Sequence, residues 1–147
     1  MLKMIIQTLA ASLGTVAFCV LYRVPKKYFL DCGFVGMVEW IAYLLVNNLF
    51  ENEALAVFFA TLTIVVLSRF LSVKRKCPMS MFLIPGIFPL VPGAKIYHMT
   101  YTASLGAYNR AFFYCMEAFK EAFAIAMAIA IGSRIPSGWF QRSKEVR

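Results

Sequence analysis

Ile84-Pro85-Gly86-Ile87-Phe88-Pro89-Leu90-Val91-Pro92-Gly93 is the stretch that decides the fold. It sets three prolines and two glycines among ten residues that are otherwise apolar. A lipid-exposed segment cannot carry such a run, because each unsatisfied backbone group in hydrocarbon costs several kcal/mol. Broken backbone persists at membrane depth where it is buried in protein or lines a watery cavity. Discontinuous helices of that kind hold the solute in many secondary transporters. The stretch therefore reads as a break within a membrane helix, close to a solute path. The competing reading is a proline-kinked helix packed against its neighbours, with no ligand.

On either side of the break the chain is strongly apolar. Of its 147 residues 61% are hydrophobic and 16% aromatic, and the mean hydropathy of +0.72 is far above that of an ordinary soluble domain. The formal net charge is +8. The basic residues lie between apolar segments rather than along one face, which argues against nucleic acid and for residues that set membrane topology. Cys19, Cys32, Cys77 and Cys115 are scattered without a C-x-x-C pair, and His98 is the single histidine. That pattern supports neither a zinc site nor a disulfide framework. No metal or cofactor is expected, and no catalytic triad or phosphate-cradling glycine loop argues for an enzyme.

Five segments approach the roughly 20 residues a bilayer requires: 2–22, 32–50, 54–73, 81–105 and 112–135. The expectation is an all-α integral membrane protein with about five transmembrane helices, the fourth broken by proline and glycine. Residues 1–138 form one transmembrane domain and 139–147 a short basic cytoplasmic tail. The first segment lacks a small-x-small cleavage signature and reads as a retained span. The second is interrupted by Glu39, Asn47 and Asn48, and a four-span alternative leaves it in the interface. Charge gives the orientation. Arg23, Lys26 and Lys27 follow the first span, Arg69, Lys74, Arg75 and Lys76 close the third, and Arg134, Arg142, Lys144 and Arg147 follow the fifth. An external N-terminus and a cytoplasmic C-terminus place all of these on the cytoplasmic side, with the acidic Glu51-Asn52-Glu53 link outside. Trp139 and Phe140, beside the tail cations, read as an interfacial anchor.

Pro85, Gly86, Pro89, Pro92 and Gly93 form the candidate solute site. At about 1.5 Å per residue the break reaches toward the bilayer midplane, and its lost hydrogen bonds free carbonyls and amides. A helix restarting at Ala94-Lys95 aims its positive end into the gap, which favours a carboxylate. Lys95 adds a full charge there, or else snorkels to the interface. Tyr97 and Tyr101, four apart and so on one face, offer hydroxyls to a solute; the alternative is a pair of interfacial tyrosines. His98 is a further candidate proton carrier. Glu39, near the middle of the second span, is the candidate proton-coupling residue, unless Arg69 or Lys95 pairs with it. Asn47 and Asn48 are expected to cap a helix end or bond a neighbour, Arg69 to reach headgroups, and Arg110 to be solvated. Ala118, Ala122, Ala126 and Ala130 recur every fourth residue, with Ala124, Ala128 and Gly132 on a second line. Such small residues let helices approach closely, and a helix-packing ridge on so short a chain calls for a partner.

Arg23-Val24-Pro25 after the first span, followed by Gly33-x-x-Gly36, resembles the opening of the threonine/serine exporter family. The 84–93 motif with Tyr97 four residues on, Ser68-Arg69 before it, and Ile131-Gly132-x-x-Ile135-Pro136 near the end are similar to that family too. The chain resembles the short subunit of the split exporters, corresponding to the C-terminal half of the single-chain form. The resemblance implies export of small hydrophilic metabolites across the bacterial inner membrane, with threonine, serine or a dicarboxylate such as succinate as solute. It implies a hetero-oligomer with a larger membrane subunit similar to the N-terminal half, and the absence of a long internal repeat agrees with a half-transporter. Pro85, Pro92, Gly93 and Tyr97 are the motif positions carried over. Glu39 and Lys95 depart from the family pattern and place charge near the presumed path, so an anionic solute is one expectation. The functional expectation is therefore a subunit of a two-component secondary exporter working by alternating access, with proton antiport as its energy source. The alternative is a membrane scaffold that transports nothing.

Overall fold

A computed structural model describes residues 2–134, and among these every regular element is helical. The order is α1 (Leu2–Leu21), α2 (Phe29–Phe50), α3 (Glu53–Arg75), α4 (Ser80–Ile87), α5 (Gly93–Ser104) and α6 (Tyr108–Ser133). Single turns of 3-10 helix stand at Lys26–Tyr28 and Phe88–Leu90. By length and composition α1, α2 with its leading turn, and α3 can each cross a bilayer. Ser80–Leu90 and Gly93–Ser104, bent by 43° at their junction, are together long and apolar enough for a fourth, broken span. The chain is thus an all-α membrane protein with a proline-broken fourth helix. α2 with its leading turn is long and apolar enough to cross, whereas α6 is not. The described residues thus offer three such helices, or four with the broken pair, against the five expected. The tail at 139–147, with Trp139 and Phe140, lies outside the described residues, as do Ile135 and Pro136.

The helices are built inside out by soluble standards. On α1 the buried residues are Ala11, Thr15 and Cys19, whereas Leu2, Ile5, Ile6, Leu9 and Leu13 are exposed. Lipid tails are as apolar as leucine, so large side chains gain nothing by hiding from them. Small and weakly polar residues go inside instead, where they let backbones approach. Gly36 illustrates this: a Cβ there would lie 2.2 Å from Thr15 Oγ1 and 3.3 Å from the Ala11 carbonyl. Ser12 Oγ donates to the Gly33 carbonyl at 2.9 Å across the same contact.

The two basic loops lie at one end of the bundle. Arg75 at the close of α3 donates through Nη2 to Asp31 Oδ1 in the first turn of α2 at 2.8 Å, beside the Lys26–Tyr28 turn. The opposite, acidic end is the α2–α3 turn. There Glu51 takes a left-handed conformation as the C-cap of α2, and the Asn52 side chain accepts from the Ala54 and Leu55 amides at 3.1 and 3.3 Å. Asn52, rather than Asn47 or Asn48, supplies that cap.

α6 departs from the expectation of a uniform fifth span. Its 26 residues are long enough, but Arg110, Glu117, Lys120 and Glu121 lie between its start and its midpoint. Glu121 meets the start of α3 through a shared lysine, while Gly132 packs on Val65 and the Ser133 carbonyl accepts from Arg69 at 3.2 Å. α6 therefore runs parallel to α3, and its residues before Glu121, about 20 Å of helix, extend past the α2–α3 turn with α5 alongside. Arg69 is held by that carbonyl instead of reaching headgroups. The face of α6 on the core is Ala111, Ala118, Glu121, Ile125, Ala128 and Gly132. Of the expected ridge only Ala118 is buried; Ala122, Ala126 and Ala130 face outward. The charged Glu121 turns inward to meet its lysine, which rotates the alanine row away from α3.

Candidate functional site

Pro85 is buried inside α4, and having no N–H it deprives the Met81 carbonyl of its helix donor. Cys32 Sγ, from α2, donates to that carbonyl instead at 3.7 Å. Pro89 and Pro92 remove two more donors. The Val91 amide turns back to the Phe88 carbonyl at 3.2 Å, and the Gly93 amide to the Val91 carbonyl at 2.7 Å. The chain thus passes from α helix through a 3-10 turn and one extended residue, Val91, before α5 restarts at Gly93. Phe88 anchors the turn by stacking on Phe18 of α1 with ring centroids 3.9 Å apart.

The depth of the break follows from its neighbours. A Cβ on Gly86 would lie 3.1 Å from Ile64 Cγ2, 3.3 Å from Val35 Cγ1 and 3.7 Å from Glu39 Oε2. Ile64 is the middle residue of α3, and Glu39 lies at the middle of α2. Gly86 therefore sits halfway along both spans. Glu39 is completely buried, and among the described residues neither of its carboxyl oxygens has a hydrogen-bond partner. Neither Arg69 nor Lys95 pairs with it: each is engaged elsewhere. Trp40 Nε1 and Ser68 Oγ are also buried without partners.

Above this level a cleft of about 220 Å³ lies between α2 and the break, walled by Trp40, Tyr43, Val57 and the 89–95 strand of backbone, and closed by Glu53 and Glu121. Pro89, Pro92, Gly93 and Lys95 are thus brought together. Glu53 and Lys95 also wall a larger cavity of about 700 Å³ at the acidic end, with Glu51, Glu117 and Lys120. Lys95 stands at the junction. Its Nζ lies 2.6 Å from Glu121 Oε1, 2.5 Å from Glu53 Oε2 and 3.8 Å from Glu117 Oε2, while Lys120 bonds Glu117 at 2.7 Å. Four carboxylates here face two ammonium groups. The lysine expected to point a free charge at a solute carboxylate is instead shared among carboxylates of the chain, an arrangement the sequence did not signal.

Tyr97 and Tyr101 do lie on one face of α5, with near-parallel rings 6.1 Å apart. That face is exposed, at 63% and 52% respectively, and it is turned away from the cleft. His98 stacks on Tyr114 of α6 with centroids 5.3 Å apart.

The chain matches the family described as Threonine/Serine exporter, ThrE, over residues 7–135, and it belongs to that family. An uncharacterized protein of Haemophilus influenzae is 27% identical over 150 aligned residues, which cover 99% of this chain and 50% of the relative. The chain thus spans about half the length of the curated relative it matches. No solved structure matches it.

Proposed function

We propose that this member of the threonine/serine exporter family is one half of a bacterial inner-membrane exporter for small zwitterionic amino acids, threonine and serine above all. It works by alternating access, with its N-terminus outside and its basic end in the cytoplasm. The observation that carries the reading is the break itself: three prolines interrupt a helix from the middle of the bundle upward, beside a cleft that opens toward a charged cavity. Backbone groups freed there are available to a polar solute, as in other discontinuous-helix transporters. The surplus of carboxylates around Lys95 attracts the ammonium group of an amino acid and repels a dicarboxylate, so succinate is the poorer solute.

A second, larger membrane subunit completes the pathway. The observation that supports it is that α5 carries Tyr97, His98, Thr100 and Tyr101 with no residue buried. So polar a helix face needs water or protein beside it. The outward row Ala122, Ala126 and Ala130 offers that subunit a close approach.

The test is efflux of preloaded radiolabelled threonine, serine and succinate from cells expressing this chain alone or with its candidate partner. Threonine and serine efflux from the pair supports the proposal. A well-expressed pair that releases none of the three solutes replaces it with the scaffold reading.

A further inference from the structure

Among the described residues Glu39 is the one buried carboxylate that the solute path leaves unused. It sits at mid-membrane depth, fully buried, with both oxygens unpartnered and one of them facing the bare Cα of Gly86. A Cβ at 86 would press on Ile64 and Val35 and stand in ordinary contact with the carboxylate.

The charged groups of every element packed nearby lie elsewhere or are engaged. α1 carries only Lys3, at its start, and α4 carries no charge. On α3, Glu53 belongs to the Lys95 cluster, Arg69 bonds the Ser133 carbonyl, Arg75 bonds Asp31, and Lys74 stands beside Arg75 in the last turn. From α5 and α6, Lys95 and Glu121 hold each other. On α2 itself, Tyr43 stands one turn along beside Trp40, and the Cys32 thiol bonds the Met81 carbonyl. An ionised carboxylate without a partner is very costly in a medium without water. The side chain is stable there only with its charge cancelled by a proton or a cation, and among the described residues no cation of the chain reaches it.

We infer that Glu39 is the proton-carrying group of the transporter, loaded and unloaded as the adjoining 85–93 break opens the mid-membrane site to one side or the other. The inference rests on the transport reading above. In the cycle, the carboxylate takes one proton when the site faces outward and solute has left. It carries that proton inward as the neutral acid and releases it to the cytoplasm before the next solute binds. No other bond is made or broken. Trp40 and the cleft beyond it lie between Glu39 and the acidic end, on the side from which protons arrive.

The experiment uses the two-subunit complex in liposomes loaded with radiolabelled threonine and a pH-sensitive dye. One unit of imposed pH difference, at one proton per solute, sustains about a tenfold solute gradient. Wild type should reach that gradient with matching proton uptake. Glu39→Gln should still exchange threonine for threonine, yet sustain no gradient and take up no protons; Glu39→Asp should recover part of both. An infrared carbonyl band of a protonated carboxyl, present in wild type and missing in Glu39→Gln, gives a readout independent of transport. A Glu39→Gln complex still driven by the pH difference, or wild-type efflux driven by sodium and not by protons, overturns the inference while leaving the transport reading intact. A wild-type complex that moves no solute overturns the transport reading, and the coupling with it.

Discussion

Replacing Lys95 by alanine removes three contacts at once, and their worth differs with exposure. The 2.6 Å bond to Glu121 meets a side chain only 8% exposed; it is charge-assisted and largely desolvated, worth about 1.5–3 kcal/mol. Glu53 is 52% exposed, so that pair contributes under about 1 kcal/mol. Glu117, at 3.8 Å, keeps its bond to Lys120 and loses little. The total is about 3 kcal/mol, most of it the cost of a nearly buried Glu121 carboxylate left alone. For a domain of this size that is a fall in melting temperature of about 6–12 °C. Glutamine at 121 removes the orphaned charge, so Lys95→Ala with Glu121→Gln should regain most of the loss. The assay is thermal unfolding of the purified chain in detergent, paired with threonine efflux for each variant. A Lys95→Ala chain that melts with wild type, or a double variant that stays as unstable as the single one, refutes the clamp. Recovered stability with efflux still abolished returns Lys95 to the role of solute ligand.

Three further outcomes follow from the packing. Gly86→Ala should cost about 1–3 kcal/mol through contacts of 3.1 and 3.3 Å with Ile64 and Val35, and should lower efflux more than membrane abundance, measured by immunoblot. Gly132→Ala puts a methyl 2.5 Å from the stiff side chain of Val65; it should lower the melting temperature, whereas Gly14→Ala, with open space around it, should leave it unchanged or raise it. Ala126→Trp, on the outward row of α6, should leave the melting temperature of the isolated chain unaltered and abolish co-purification with the proposed larger subunit.

Much of this architecture is legible in the sequence because lipid imposes a simple rule. Apolar runs of about 20 residues separated by cations, as at Arg23–Lys27 and Lys74–Lys76, are enough to place α1 to α3. The prolines at 85, 89 and 92 mark the break for an equally local reason: each lacks an N–H. What stays hidden is pairing at a distance. Lys95 and Glu121 are 26 residues apart, and no periodicity within either segment announces that they meet. That contact also turns α6 so that Ala128 and Gly132, not the more regular alanine row, face α3. The charged opening turns of α6 mislead in another way: the segment is long enough to span, but those turns extend past the α2–α3 turn beside α5. Glu39 is the reverse case. Its midspan position is plain in the sequence, but only the fold reveals that, among the described residues, no cation turns toward it.

The central claim, that the broken fourth helix lines the solute path, is tested most directly by chemical access to Ala94 in the wall of the 220 Å³ cleft. With Cys19, Cys32, Cys77 and Cys115 replaced, an Ala94→Cys variant is paired with the larger subunit. Its reaction with a hydrophilic thiol reagent is then timed with and without saturating threonine. The account predicts that the cysteine reacts and that threonine slows it while an equal concentration of succinate does not. In a pair that still exports threonine, a cysteine that never reacts, or reacts at the same rate whatever solute is present, contradicts it.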